Sequence, residues 1–235
     1  MDLKTLGLGL LVLNGLIILH EWGHFFAARR MGLPVPEFSV GFGPRLLGWT
    51  RGETAYSLRL FPIGGYVLLP DLAPEPGGEA ISIRRRLLTV IAGPAANLAL
   101  VVLLLGPATA LRACLLWTGL MAGLVADLFG GGSGPAPELL GPIGVSEAVG
   151  QAAALGWRHL LQLTALLSLN LGLFNLLPFP GLDGGRILSL LIERLTGGRR
   201  PSWEPVVQGL GLLLFLGLGL WVTGRELLAL IMGWL

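Results

Sequence analysis

Four stretches of the chain are almost unbroken runs of apolar residues: about Thr5 to Ala28, Leu87 to Leu105, His159 to Leu177 and Pro205 to Thr223. Each is close to the roughly 20 residues that a helix needs to cross the hydrocarbon core of a bilayer. The pattern predicts an α-helical integral membrane protein with about four transmembrane helices. A fifth run, Ala113 to Phe129, is shorter and Gly-rich and carries Asp127 near its end. It fits a span, a re-entrant segment or a helix lying on the surface.

Between the first two spans the pattern changes. From Pro34 to Pro70 the residues alternate and are rich in aromatic and β-branched types, as at Phe38-Ser39-Val40, Thr54-Ala55-Tyr56-Ser57-Leu58 and Tyr66-Val67-Leu68. Pro62 and Gly64-Gly65 punctuate them. That predicts a small β-segment of short strands joined by turns. An open sheet edge cannot face lipid, so the segment must sit at the membrane surface or be shielded by helices. Asp71 to Glu79 and Gly130 to Pro137 read as loops. No internal repeat is visible, and residues 1–235 read as a single membrane-embedded domain.

Composition supports lipid as the solvent. Hydrophobic residues make up 53% of the chain and charged residues 13%, against about 25% charged in a soluble domain. The mean hydropathy is +0.75. The formal net charge is only +2, and no basic face of the kind that binds nucleic acid is apparent. The single cysteine, Cys114, excludes an intrachain disulfide and a cysteine-based zinc site. The first apolar stretch lacks a small-residue cleavage site, so it is expected to stay as a span rather than leave as a signal peptide.

The arginines are clustered, which predicts orientation. Eight of them, Arg29, Arg30, Arg45, Arg51, Arg59, Arg84, Arg85 and Arg86, lie between spans one and two, and Arg186, Arg194, Arg199 and Arg200 follow span three. The other side holds Lys4, Arg112, Arg158 and Arg225. The positive-inside rule then places the N-terminus outside and the β-segment in the cytoplasm. This parity requires that Ala113–Phe129 not cross fully.

The candidate chemistry is concentrated near the end of the first span, in His20-Glu21-Trp22-Gly23-His24. Two histidines four apart share one face of a helix and can bind one zinc ion. Glu21 lies where it can act on water at the metal. Two of the chain's three histidines are here, and ionisable groups inside a span are costly and usually functional. The bland alternative is a set of interfacial side chains reaching for the headgroups.

A third protein ligand is needed, leaving one position for water. Asp183 is the candidate. It follows span three in Asn175-Leu176-Leu177-Pro178-Phe179-Pro180-Gly181-Leu182-Asp183-Gly184-Gly185, where two prolines and three glycines break the helix. Broken backbone at membrane depth is tolerated where it lines a cavity or is buried in protein. The alternative is that Asp183 caps a helix from Gly184 to Leu195. Asn175 fits either a donor to the substrate carbonyl or a helix–helix hydrogen bond. Asn170 and Asn97 read as packing residues, and His159 as an interfacial one.

Taken together, these motifs resemble the site-2 protease family of intramembrane zinc metalloproteases, in a compact form. The zinc pattern is His20-Glu21-Trp22-Gly23-His24. Phe61-Pro62-Ile63-Gly64-Gly65-Tyr66-Val67 is similar to the family's membrane-associated β-loop, and Ala92-Gly93-Pro94-Ala95-Ala96-Asn97 to its second-span motif. Gly141-Pro142-Ile143-Gly144 resembles the lead into its third span, and Ser168 to Gly185 its Asn-Pro-Asp-Gly region. The resemblance implies one Zn2+ per chain on His20, His24 and Asp183, Glu21 as general base, and Asn175 near the substrate. Many bacterial members carry PDZ domains between the second and third spans; Gly106 to Leu140 is too short and too apolar for one.

The expected activity is hydrolysis of peptide bonds in or near transmembrane segments, by water that zinc activates. A helical substrate must unwind first, and the strand at Gly64-Gly65 could take it as an added strand. The family's usual work suggests single-span membrane proteins, such as trimmed anti-sigma factors, or signal-peptide remnants, at a bacterial inner membrane with the site towards the cytoplasm. One alternative is a catalytically silent adaptor that binds membrane helices; the intact His20, Glu21, His24 and Asp183 argue against it. A metal transporter would need a path of several intramembrane ligands, and one site appears here.

Overall fold

The computed structural model of the chain describes residues 2–69, 81–130, 140–197 and 201–233. In order, its elements are α1 (Leu3–Arg30), β1 (Glu37–Arg51), β2 (Thr54–Leu68), α2 (Ile83–Leu105), α3 (Pro107–Gly130), α4 (Pro142–Ala154), α5 (Trp157–Asn175), α6 (Asp183–Leu195) and α7 (Glu204–Ile231). Among the described residues, α1, α2 and α7 are long and apolar enough to cross a membrane. The first, second and fourth expected spans coincide with them, and the third coincides with α5, a 19-residue helix. The expected loop at Asp71–Glu79, and all but Gly130 of the one at Gly130–Pro137, lie outside the described residues.

The helix ends are set by local chemistry. Asp2 accepts a hydrogen bond from the Thr5 amide at 2.8 Å and starts α1. Arg29 and Arg30 occupy its last turn, where the partial negative charge of the helix end favours cations. Ala113–Phe129 belongs to one continuous helix, α3, fixed to α5 by the Trp117 indole N–H on Asn170 Oδ1 at 2.6 Å. This agrees with a structural role for Asn170.

The β-segment has longer strands than its turn residues suggest. β1 and β2 run 15 residues each and are irregular in register. Phe38 lies opposite both Tyr56 and Val67, and Ser39 opposite both Ser57 and Tyr66. Glu37–Val40 is therefore flanked on one side by Ala55–Leu58 and on the other by Gly65–Leu68. A polar cluster ties the layer together: Arg59 donates to Glu37, Tyr66 and Ser39, and Ser57 donates to Glu37. Phe25, Leu33, Val35 and Val67 pack beneath it against the end of α1.

The hydrophobic pattern does not single out α4, because the helix is short and joined to α5 by only two residues. Gly141-Pro142-Ile143-Gly144 forms its start. The amides of Gly141, Ile143 and Gly144 all donate to the buried Glu226 carboxylate of α7, at 2.6 to 3.1 Å. A helix N-terminus leaves such amides without intrahelical partners, so a carboxylate placed there is favourable. α4 packs on α1 where Gly9 meets Ser146 backbone to backbone.

The interior of the bundle is formed by α1, α2 and α5, with Leu16, Val90, Val101, Ala165 and Leu169 buried. α7 buries only Glu204, Val222 and Glu226. Its remaining leucines face outward, a surface suited to lipid rather than water.

Candidate metal centre

α1 carries His20 and His24 on the face turned to α2. Gly23 sits between them because the two helices cross there: a Cβ on Gly23 would meet the carbonyl of Ala92. Gly93 is required for a related reason, since a Cβ on it would enter the His24 imidazole. The glycines of the two motifs thus serve one close helix crossing, the use that small residues have in membrane bundles.

Asp183 comes from 163 residues away. The α5–α6 loop turns back so tightly that Gly184 and Gly185 lie against the carbonyls of Leu176, Leu177 and Phe179. Leu182 is the N-cap of α6 and makes no side-chain cap. Asp183 is therefore the first residue of the helix and not its cap. Its Oδ2 is 3.0 Å from His20 Nε2 and 3.2 Å from His24 Nε2. The two Nε2 atoms are 3.2 Å apart, and all three residues are buried.

The outer nitrogens decide what these contacts mean. His20 Nδ1 faces Asn97 Oδ1 at 2.8 Å. The Asn97 amide nitrogen is committed to Leu16 O and Ser168 Oγ, so its oxygen is the group turned to the histidine. His24 Nδ1 faces the carbonyl of Thr89 at 2.9 Å. Both rings meet acceptors there and so carry their proton on Nδ1. Their Nε2 lone pairs then converge on each other and on a carboxylate oxygen, which is repulsive without a cation between them. Zn–N and Zn–O bonds of about 2.0–2.2 Å place tetrahedral ligand atoms roughly 3.4 Å apart, close to the observed separations. The donor set fits zinc, and the outer partners fit the arrangement that orients zinc-binding histidines. Among the described residues this is the one group of three or more His, Cys, Asp or Glu that could hold a metal.

The other expected site residues fall in different places. Glu21 accepts the Val67 amide at 2.9 Å. Gly64 donates to Asn14 Oδ1 at 2.6 Å, with φ of +100°, a value that favours glycine. Gly65 lies against the Ser39 carbonyl. Asn14 is two turns before Glu21 on the same face of α1, so the two side chains pin the Gly64–Val67 strand to the helix. Asn175 donates to the Leu171 carbonyl of its own helix at 2.9 Å and is not joined to the cluster. His159 is exposed and bonded to Leu155 O, away from it.

Three residues of this region have no strong signal in the sequence. Asn97 is fully buried and packs as expected, but it also holds His20. Ser168, donating to the Asn97 carbonyl at 3.0 Å, completes that network. Asn14 is the one polar side chain between Leu6 and Leu19, and that is the signal that could have marked it.

The family model for Peptidase family M50 matches residues 8–218. A Synechocystis sp. protein is 26% identical, over 92% of this chain and 93% of its own length. The alignment runs over 339 positions against 235 residues here, so that relative carries long insertions that this chain lacks. The zinc metalloprotease RasP of Oceanobacillus iheyensis is 46% identical over 66 residues, 28% of this chain and 16% of the relative. The zinc metalloprotease RasP of Shouchella clausii is 40% identical over 73 residues, 31% of this chain and 18% of the relative. With the match covering most of its length, the chain belongs to peptidase family M50, the site-2 protease family that its motifs resemble.

Proposed function

We propose that the chain is an intramembrane zinc metalloprotease cutting membrane proteins in or near their transmembrane segments, with His20, His24 and Asp183 holding the metal and Glu21 as general base. The observation that carries this reading is the convergence of two histidine lone pairs and one carboxylate oxygen in a buried site. Family membership supplies the reaction class.

His20, His24 and Asp183 would hold a zinc ion whose Lewis acidity would polarise a carbonyl and acidify water at the site. The protein supplies the rest. Asn97 and the Thr89 carbonyl hold the imidazoles so that neither must reorient on binding metal. Glu21 takes a proton from the attacking water and passes it to the leaving amine, and the Val67 amide fixes the carboxylate from the side. Asn175 is assigned to the substrate: its amide would leave Leu171 and donate to the scissile carbonyl as negative charge develops there. The Gly64-Gly65 strand is assigned to pairing with an unwound substrate. That pairing would compensate backbone groups that otherwise cost several kcal/mol each in lipid. The position of Gly65–Leu68 beside Glu37–Val40 and against α1 supports this.

The chain reads as one membrane-embedded domain in which α1, α2, α5 and α7 cross and α3 does not cross fully. The arginine distribution supports an N-terminus outside and the β-segment in the cytoplasm, at a bacterial inner membrane. Single-span proteins and signal-peptide remnants are the substrates this arrangement suits.

The test is cleavage of a single-span substrate by detergent-purified protein, comparing wild type with Glu21→Gln and measuring zinc in both. Cleavage by wild type alone, with zinc in both, is the expected result. Equal cleavage by the variant would remove Glu21 from the mechanism. Substrate binding without cleavage by either protein would favour an adaptor.

A further inference from the structure

Asp183 opens α6 directly after a loop that α7 helps to hold. Gly181, two residues before Asp183, donates its N–H to Gln208 Oε1 at 2.7 Å. The Gln208 amide nitrogen points on to Ser189 Oγ of α6 at 3.4 Å. Gln208 is half-buried, whereas most of α7 is exposed. The loop also touches bare helix backbone. A Cβ on Gly181 would meet Gly211 and Leu212, and one on Gly211 would meet the Pro180 carbonyl.

Leu182 offers no capping side chain at the start of α6, so beyond the loop's own backbone bonds, such as Leu182 N–H to Phe179 O at 3.2 Å, Gln208 is a side chain from another helix that grips it. About five turns further along α7, Glu226 is held by the amides of Gly141, Ile143 and Gly144. α7 is thus anchored at both ends, and its depth against the loop is set.

We propose that Gln208 is a positioning residue for Asp183. By accepting the Gly181 N–H it fixes the α5–α6 loop, and so places the Asp183 carboxylate at the distance from His20 and His24 that a metal requires. This rests on the assignment of Asp183 as a ligand.

The test is zinc retention by the full chain in detergent against a chelator, with thermal unfolding and kcat and KM alongside. Gln208→Leu removes the acceptor and is expected to weaken zinc binding about tenfold, the low end of losses from supporting groups. kcat should fall while KM for a single-span substrate stays within about twofold. Gln208→Glu keeps an acceptor and should restore most of both. Gly211→Ala pushes Pro180 away and should weaken zinc binding with Gln208 intact. If Gln208→Leu does not fold, Gln208→Asn, which withdraws the amide by one methylene, takes its place. Zinc binding in the Leu or Asn variant equal to wild type would overturn the proposal. So would a loss that Gln208→Glu fails to restore. Failure of wild type itself to bind zinc would instead overturn the metal assignment.

Discussion

Asn97 Oδ1 and His20 Nδ1 are 2.8 Å apart in a fully buried contact between α2 and α1. The bond selects the tautomer whose Nε2 faces Asp183. Asn97→Ala should therefore reduce zinc affinity by roughly 10–100-fold. Chelator competition measures this directly. Unchanged affinity would mean that His20 is oriented by packing alone.

Gly93 and His24 define the helix crossing. Gly93→Ala places a methyl group inside the imidazole, and overpacking of this kind typically costs about 1–3 kcal/mol. The expected outcome is a lower unfolding temperature together with lost zinc. Gly7→Ala is the control, because nothing lies within 4 Å of a Cβ there.

Arg86 and Glu193 form a buried ion pair of 2.6 Å between α2 and α6. Removing one partner leaves an uncompensated charge, so Arg86→Met should destabilise the fold by about 3–5 kcal/mol. The double variant Arg86→Met with Glu193→Leu should recover most of that loss. A denaturation series in detergent on the four proteins checks it. Full additivity of the two single losses would contradict the pairing.

Glu37 gives the β-segment a pH dependence. Burial raises the pKa of its carboxyl, but hydrogen bonds from Arg59 and Ser57 outweigh this and hold it below the ordinary 4.5. The group is depressed in the folded state, so its stabilisation is present above pH 4.5 and is lost as pH falls through the folded value. The protection of strand amides, measured relative to their intrinsic exchange rates at each pH, should fall below pH 4.5. In Glu37→Gln that pH dependence should be absent.

Much of this was legible in the sequence. Helical spacing placed His20 and His24 on one face, and the prolines and glycines before Asp183 marked the break between α5 and α6. The partner of each group was harder to see. Which residue meets the back of His20 depends on how α2 rotates against α1, and one Asn among apolar residues does not reveal that. The carboxylate that receives the Gly141–Gly144 amides is likewise set by packing, since Glu226 lies on another helix. The strand register was hidden because Glu37–Val40 has partners on both sides, which no alternation of side chains discloses.

His20, His24 and Asp183 are proposed to hold one zinc ion together. The most direct measurement is zinc stoichiometry with X-ray absorption at the zinc edge, on wild type and on Asp183→Ala. The expected result is about one zinc per chain with two imidazole nitrogens and a carboxylate oxygen at about 2.0–2.2 Å, and loss of the metal in the variant. Full zinc retention by Asp183→Ala, with an unchanged absorption spectrum, would contradict it.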